Sequence, residues 1–380
     1  MYIMHLALGG CLTAPTVRYG ITQDTGGHIA YVLGAASAQA ASKRVERVDI
    51  VTRAFSAQDL DPVHSQLEQP VTPSLTIRRI RGASDRYLEK ERLAADLPAL
   101  KSSFIALLAQ LDKKPDIIHA HFADAASLAA AAETRLGIPF VYTPHSLAID
   151  KQATCTHRAG AELKVRMDQE RRAMRQARAI IVSSRDEAER QLGGYGEDTE
   201  PRTHLVEPGV SIPAGICTTG RTAARSILAQ HLSNPQRPII LAVARPVARK
   251  NLVRLAAAYA YSPALNGQAN LVILAGQHSA NSPASRAGHG VVAQLRAIAE
   301  RPDMRGRIAL PATHDPETVP ELYRLAAQSG GVFVNPALHE PFGLTTLEAA
   351  AHGLPVVVTR EGGPRVFVPA LRDESLFGPR

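Results

Sequence analysis

The sequence contains few of the residue types that mark several classes of protein. It has no Trp, and its aromatic content is 4%. The net charge of +8 favours anionic partners in general, from nucleic acids to phosphorylated metabolites. However, the basic residues are not interleaved with aromatic side chains that could stack on bases, so we expect no nucleic-acid partner.

Cysteines and long apolar runs are also scarce. The three cysteines, Cys11, Cys155 and Cys217, lie far apart and lack the spacing of metal ligands, which argues against a disulfide framework or a zinc site. No apolar run reaches the roughly 18 residues of a membrane-spanning helix. The apolar N-terminus has no basic segment before it, as a secretory signal would. These absences predict a soluble, cytoplasmic protein.

Short apolar runs alternate with Ala- and Leu-rich stretches, which is typical of parallel sheets covered by helices on both faces. One series of strands ends near Ser183, a second begins at Pro238, and the Pro- and Gly-rich residues 207–215 read as the linker. We therefore predict an α/β protein with two Rossmann-like, doubly wound domains, residues 1–212 and 213–380, facing a cleft. The Ser-, Ala- and Gly-rich residues 278–290 read as a mobile surface loop. The predicted strands are 1–8, 48–52, 75–80, 116–120, 140–143, 179–183, 238–244, 271–275, 307–310, 331–335 and 355–359, and the predicted helices of the first half are 27–41, 93–111 and 125–136.

Two loops after predicted strands could bind an anion. Residues 24–28 (DTGGH) precede a helix, and Gly26 and Gly27 would let backbone amides approach a phosphate, although any strand-to-helix turn also uses glycine. Arg245 and Lys250 open the second domain's first loop, where they could hold a diphosphate or form an ordinary solvated basic loop.

Histidines follow two other strands. His145 would lie at the carboxyl edge of the sheet, as a ligand contact or as a structural hydrogen-bonding group. His119 and His121 alternate like a metal pair, but no third His or carboxylate is evident nearby, so we expect no metal site.

The most specific motif is at residues 335–343 (NPALHEPFG). Glu340 lies in a loop after a buried strand, and Glu348 lies about two turns into the following helix. Two carboxylates so placed can accept hydrogen bonds from two sets of vicinal hydroxyls, or they can simply complement the helix dipole. The amides of Gly343 and Leu344 at the helix start suit a phosphate.

Together these motifs resemble those of retaining glycosyltransferases of the GT-B fold, in the sucrose-phosphate synthase branch. They occur in the family order from about residue 1 to Pro364. On the donor side, the resemblance implies that Arg245 and Lys250 neutralise the departing diphosphate and that Gly26 and Gly27 bring amides close to it. It also implies that Glu348 holds the ribose, whereas Glu340 and His145 contact the transferred sugar. No cofactor or obligatory metal is implied.

For the acceptor, the resemblance implies a basic cluster that holds a sugar phosphate, unless these side chains are ordinary surface charge. Two residues depart from the family pattern and put polar contacts to the acceptor in doubt: His28 replaces a usual Gln, and Phe122 replaces an aromatic hydroxyl. The positions that match the family's acceptor site are His28, Arg86, Lys90, Phe122, Lys151 and Arg185.

The implied reaction transfers glucose from a nucleoside diphosphate, most simply UDP-glucose, to fructose 6-phosphate, giving sucrose 6-phosphate. Synthesis of mannosylfructose phosphate and the sucrose synthase reaction with free fructose are alternatives within the same class. Residues 365–380 do not continue the family pattern, so the second domain is expected to be incomplete. An inactive, truncated nucleotide-binding remnant is therefore a further alternative.

Overall fold

The structure is a computed structural model that describes residues 1–149, 160–210, 215, 217–278, 283–371 and 374–377 of the 380-residue chain. The chain forms two compact units. The first contains Met1–Val17 and Gly27–Pro208, and the second contains Arg18–Gly26 and Gly209–Arg380. Both are α/β units, as the alternation of strands and helices predicts.

The first unit is built on an eight-stranded sheet in the order β3-β4-β2-β1-β5-β6-β7-β8. All neighbouring strands are parallel except β3, which pairs antiparallel with β4 at one edge. The strands are β1 (Tyr2–Leu6), β2 (Arg47–Arg53), β3 (Glu68–Thr72), β4 (Leu75–Ile80), β5 (Ile117–His121), β6 (Phe140–Thr143), β7 (Ala179–Val182) and β8 (Thr203–Leu205).

Helices pack on both faces of this sheet. One face carries Ile29, Val32 and Leu33 of the first helix against Val48 and Ile50 of β2. The other face carries a larger core that includes residues of β1, β5 and the next two helices. Because both faces are buried, the central strands are mostly apolar, with buried polar side chains such as His5 and His121 towards their carboxyl ends. The helices are α1 (Gly27–Ala40), α2 (Leu97–Gln110), α3 (Phe122–Leu136) and α4 (Gly160–Gln176), with 3-10 turns at Pro62–Ser65, Lys90–Ala95, Gly193–Tyr195 and Glu200–Arg202 and a π-helical segment at Glu187–Leu192.

The second unit has a six-stranded parallel sheet in the order β11-β10-β9-β12-β13-β14. Its strands are β9 (Ile239–Val243), β10 (Asn270–Leu274), β11 (Ile308–Ala309), β12 (Val332–Asn335), β13 (Val356–Thr359) and β14 (Glu374–Phe377). Its helices are α5 (Thr218–His231), α6 (Leu252–Ala260), α7 (Pro263–Gln268), α8 (Pro283–Ala299), α9 (Thr318–Gln328), α10 (Leu344–Ala351) and α11 (Pro364–Phe367), with 3-10 turns at Ala248–Lys250 and Val368–Ala370.

Separate cores also cover the two faces of the second sheet. Leu322 and Tyr323 of α9 pack with Phe333 on one face, and Leu252 and Ala256 of α6 pack with Ile273 on the other. Among the described residues, no helix is both long and apolar enough to cross a membrane.

The predicted strands and the helix at 27–41 are confirmed within a few residues, but two predictions for the second unit are wrong. The expected loop at 278–290 includes the start of a helix at Pro283, because its Ala residues favour helix and proline suits a first turn. The described part of residues 365–380 does continue the pattern, since β14 adds a parallel strand beside β13.

The domain prediction also needs correction, because Arg18–Gly26 belongs to the second unit. Gly20 O accepts a hydrogen bond from Gln277 N at 3.2 Å. A Cβ on Gly20 would lie 2.7 Å from the Gly276 Cα, so only glycine permits this backbone contact. The units divide at Pro208 and Gly209, and the predicted boundary at residue 212 lies outside the described residues.

Gly331 provides a test of packing in the second unit. A Cβ at this position would lie 2.2 Å from Ile239 O and 2.9 Å from Ala326 O, and neither backbone atom can swing away. We expect Gly331→Ala to lower the free energy of unfolding by about 1–3 kcal/mol through overpacking. The control, Gly267→Ala in α7, adds a Cβ with nothing within 4 Å and should be neutral or slightly stabilising. Equal effects in urea denaturation would contradict this packing argument.

Candidate functional site

In the second unit, a buried ion pair joins two loops at the carboxyl edge of the sheet. Lys250 Nζ lies 2.6 Å from Glu340 Oε2, and their side chains are 15% and 9% exposed. Asn335, the last residue of β12, donates its Nδ2 to the same carboxylate oxygen at 2.8 Å. The backbone holds the loops in register, because Arg249 O accepts from Leu338 N at 2.9 Å.

Burial and pairing act in opposite directions on the two charges. Burial lowers the pKa of Lys250, and nearby Arg249 and Arg245 add to this, so the net shift is downward despite Glu340. Burial alone would raise the pKa of Glu340, but the attraction of Lys250 and the hydrogen bonds from Asn335 and Lys250 outweigh it and the net shift is downward. Glu340 is therefore ionised at neutral pH, and its attraction opposes the effect of burial on Lys250.

Glu340 keeps one carboxylate oxygen for a ligand. Lys250 and Asn335 both donate to Oε2, so Oε1 has no hydrogen-bond partner within the described part of the chain. The backbone of Glu340 is fixed by hydrogen bonds to Glu361 O and from Gly363 N. Gly362, with φ 103°, makes this close approach possible, since a Cβ there would lie 2.1 Å from Glu340 O.

Arg245 lies beside the glycine-rich segment that belongs to the same unit. Its guanidinium donates to Gln23 O, and a Cβ on Gly26 would lie 3.2 Å from its Nε. The structure thus brings the predicted residues Gly26 and Arg245 together. Gly27 is the first residue of α1 and belongs to the first unit.

Helix α10 begins directly after the Glu340 loop. Gly343, with φ 101°, turns the chain into the helix, and Leu344 is the first helical residue. The first amides of a helix have no intrahelical acceptor, so they can bind an anion. Gly343 and Leu344 therefore lie at the helix start, as the sequence predicted. A second carboxylate lies further along the same helix.

That carboxylate, Glu348, lies on the partly buried side of α10. Tyr323 donates its hydroxyl to Glu348 Oε2 at 3.2 Å. Burial raises the pKa of Glu348 to about 7, and the Tyr323 hydrogen bond only partly offsets it. A carboxyl with this pKa accepts hydrogen bonds most strongly above neutral pH, and it is desolvated enough to bind hydroxyls of a ligand.

In the first unit, His145 is surrounded by aromatic rings. Its ring centroid lies 4.9 Å from that of Tyr31 and 5.0 Å from that of Phe122. Lys90 Nζ lies 3.2 Å from the centroid of the Phe122 ring, a cation–π contact. His28 packs edge-on against Phe122 and donates its Nε2 proton to Gly9 O at 3.3 Å.

The predicted acceptor residues His28, Lys90 and Phe122 thus lie in one cluster with His145. Phe122 and His145 both have positive φ values, 71° and 59°, which are uncommon for non-glycine residues and often occur at functional sites. Phe122 carries no hydroxyl, so its cationic neighbour, Lys90, supplies the polar group on that side of the cluster.

Arg86 and Arg185 are exposed, and neither forms an ion pair with any residue that the structure describes. The turn that carries Arg185 is fixed by Ser184 Oγ, which accepts from Glu187 N at 3.2 Å. The loop before Arg86 is fixed by the buried Asp96, which accepts from Ala83 N at 2.6 Å. Lys151, the remaining predicted acceptor residue, lies outside the described residues.

A third histidine does lie near His119 and His121, so the expectation that none is nearby is wrong. His5 is the register partner of His119 across β1 and β5, and the three side chains place one nitrogen each within 4.8 Å of one another. Sequence spacing cannot find this neighbour, because two strands far apart in the chain bring it there. Both ring nitrogens of His5 and of His121 already form hydrogen bonds, to Gln39, to each other and to His145.

Comparisons with known proteins show the family of the chain. The family described as "Glycosyl transferase 4-like domain" matches residues 26–209, and "Glycosyl transferases group 1" matches residues 224–378. A sucrose-phosphate synthase from Thermosynechococcus elongatus superposes with a TM-score of 0.80 at 23% identity, covering 100% of this chain and 86% of that one. The chain belongs to the glycosyltransferases of the GT-B fold. Both the predicted fold class and the predicted family are confirmed.

Other relatives of this glycosyltransferase carry related names. A protein of Arabidopsis thaliana named "Probable sucrose-phosphate synthase 2" is 31% identical, covering 96% of this chain and 41% of the relative. The chain therefore spans about two-fifths of the length of that curated relative. Anabaena HepE, solved in complex with UDP and glucose, has a TM-score of 0.67 at 17% identity and covers 100% of this chain and 86% of that one.

Some contacts of the candidate site residues could not be predicted from the sequence. Tyr323 is on α9, so nothing local to Glu348 reveals it, although its apolar neighbours do place it on the core side of that helix. Gln39 contacts His5 from α1 and reads as an ordinary helical residue. Asn335 was part of the quoted motif, but its amide bond to Glu340 becomes evident only in three dimensions.

The raised pKa of Glu348 predicts a pH-dependent stability change. The ordinary pKa is 4.5 and the folded value is about 7, so the folded protein holds this proton more tightly than the unfolded chain does. Ionisation of Glu348 therefore lowers stability as the pH rises from about 4.5 to about 7. Glu348→Gln should raise Tm at pH 8, by about 2–4 °C per kcal/mol recovered, and leave it nearly unchanged at pH 4.

The matched control is Glu300→Gln, at an exposed residue just after α8. Calorimetry of both variants at the two pH values separates the effect of the buried carboxyl on Tm from the effect of losing one negative charge. A Tm gain for Glu348→Gln that is the same at pH 4 and pH 8 would show that ionisation of Glu348 is not its cause.

Proposed function

We propose that this glycosyltransferase moves a glucosyl group from UDP-glucose to fructose 6-phosphate, giving sucrose 6-phosphate with retention of configuration. The observation that carries the proposal is the Lys250–Glu340 pair, in which a buried cation for a phosphate adjoins a carboxylate oxygen available to a sugar hydroxyl. The names of the relatives, at about 30% identity over nearly the whole chain, support the choice of substrates.

On the donor side, Arg245 and Lys250 would neutralise the diphosphate, the guanidinium as a fork and the ammonium as a point charge. Gly26 and the amides at Gly343 and Leu344 would approach phosphate oxygens. The carboxylate of Glu348 would accept hydrogen bonds from the ribose hydroxyls. Anabaena HepE, a structural neighbour of low identity solved in complex with UDP and glucose, supports a nucleotide sugar as the donor.

In the proposed transfer, a hydroxyl oxygen of the acceptor forms a bond to the anomeric carbon as the bond from that carbon to UDP breaks on the same face. The hydroxyl proton passes to the departing phosphate, so charge and atoms balance without a protein base. Glu340 and His145 would hold the sugar in position. Fixed positive charge from Arg245 and Lys250 would stabilise the leaving group, the term that usually contributes most in such sites.

On the acceptor side, the phosphate of fructose 6-phosphate would be held by Arg86, Lys90 and Arg185. Lys90 is supported by its contact with the Phe122 ring beside His145. The two arginines are supported by their exposed side chains on fixed turns, which are free of competing carboxylates among the described residues.

The direct test is nucleoside diphosphate release by the purified protein. UDP-glucose, ADP-glucose and GDP-mannose are each offered with fructose 6-phosphate and with fructose, and the sugar product is identified. We expect UDP release with UDP-glucose and fructose 6-phosphate, and formation of sucrose 6-phosphate. Preference for GDP-mannose or for free fructose would correct the substrates, and UDP binding without release from any pair would refute the transferase activity.

A second prediction addresses the acceptor phosphate. Arg185→Ala should raise the KM for fructose 6-phosphate by about tenfold or more, because a charged hydrogen bond contributes roughly 1.5–3 kcal/mol. The activity with free fructose, which we expect to be lower than that with fructose 6-phosphate, should not change. Arg135→Ala, at an exposed residue of α3 in its last turn, is the matched loss of one positive charge and should have no effect. Equal losses with both acceptors would remove Arg185 from the phosphate site.

A further inference from the structure

A line of hydrogen-bonded side chains in the first unit leads to His145 from the far side of the proposed sugar contact. Gln39 Oε1 in α1 lies 2.7 Å from His5 Nε2, at the end of β1. His5 Nδ1 lies 2.9 Å from His121 Nε2, and His121 Nδ1 lies 2.9 Å from His145 Nε2. We call His5, His121 and His145 the histidine network.

The three rings are neutral at physiological pH. Burial lowers the pKa of His5 to about 4, although the hydrogen bond to Gln39 opposes the shift. Burial and the neighbouring histidines lower the pKa of His121 and of His145 well below the ordinary value, with Lys90 adding to the shift of His145. A neutral imidazole has one donor and one acceptor nitrogen. Consecutive bonds in the network must therefore all point in the same direction.

Gln39 sets that direction. Its Oε1 can only accept, so His5 Nε2 carries the proton and His5 Nδ1 accepts from His121 Nε2. His121 Nδ1 in turn accepts from His145 Nε2. His145 Nδ1 then has no proton, and no residue in the described part of the chain forms a hydrogen bond with it.

We propose that Gln39, His5 and His121 are positioning residues that fix the tautomer of His145, so that its Nδ1 accepts a hydrogen bond from a hydroxyl of the bound sugar. The identity of the ligand rests on the proposed function, whereas the tautomer does not. A fixed hydrogen-bond acceptor discriminates among ligands, because a ligand group that has no hydroxyl proton at that point cannot form the hydrogen bond.

The same side chains explain why a metal ion at His5, His119 and His121 is the weaker interpretation. An ion would take nitrogens that the network already uses, since both nitrogens of His5 and of His121 are hydrogen-bonded. An ion there would also break the path from Gln39 to His145. Stoichiometric bound zinc, measured by elemental analysis of the purified protein, would therefore overturn the proposal.

The first test is the tautomer itself in the wild-type protein. Nitrogen NMR of the protein labelled with ¹⁵N-histidine reports which ring nitrogen carries the proton, and the His145 signals are assigned by their loss in His145→Ala. We expect protonated Nε2 and unprotonated Nδ1 on His145 at pH 7.5. The opposite tautomer would overturn the proposal without any variant being needed.

Three variants of Gln39 then test what sets the direction. Gln39→Glu keeps an acceptor and should preserve the wild-type tautomer of His145. Gln39→Met has a similar length and no acceptor, so both tautomers should be populated. Gln39→Lys supplies a donor and should reverse the network, protonating His145 Nδ1. Gln39 is only partly buried, so all three side chains can be accommodated. An unchanged tautomer in the folded Met and Lys variants would contradict the proposal.

Ligand affinity provides the functional readout. Calorimetric titration should show that Gln39→Lys weakens UDP-glucose binding about three- to tenfold, the value of one ordinary hydrogen bond, while UDP binding is unchanged. Gln39→Glu should keep the wild-type affinity for both UDP-glucose and UDP. A merely structural role would weaken both ligands together. If the tautomers respond as expected but no UDP-glucose binds to any variant, the network stands and the proposed function fails.

Discussion

The second unit's site depends on the mutual neutralisation of Lys250 and Glu340. Either charge alone would be costly in so buried a place, and removing one partner of a buried pair typically costs about 3–5 kcal/mol. Their pairing lets two loops from different strands meet, with Asn335 and the backbone of Arg249 fixing the approach. A ligand phosphate that binds Lys250 must therefore compete with Glu340 for the ammonium group. This competition is avoided if the same ligand also binds Oε1 of Glu340.

Much of the fold was accessible from the sequence because strands buried on both faces are apolar runs of limited length. β4 and β6 were predicted to the residue, and most other strands within two residues. β3 was not predicted, because its exposed alternate residues give no apolar run. The contact between Gly20 and Gly276 could not be predicted either, because glycine occurs in turns whether or not another backbone segment packs against it.

The candidate site residues that lie close together in the sequence could be predicted. Glu340, Gly343 and Glu348 follow one strand, so their spacing along the chain places them. In the first unit, Gln39 and His5 belong to the hydrogen bonds that lead to His145, and in the second unit Tyr323 contacts Glu348. These residues lie on other elements, and chain spacing carries no information about such tertiary neighbours. Three described non-glycine residues with positive φ, Phe122, His145 and Asn251, follow a strand or a turn by one or two positions, where strain commonly accumulates.

The return of Arg18–Gly26 to the second unit has a consequence for how the polypeptide is made. A ribosome releases this segment well before Gly276 and Gln277, which it contacts. Domains generally fold as they leave the ribosome, N-terminal first. The first unit can then form around an unpaired loop, and the segment reaches its final contacts only after most of the second unit has been translated.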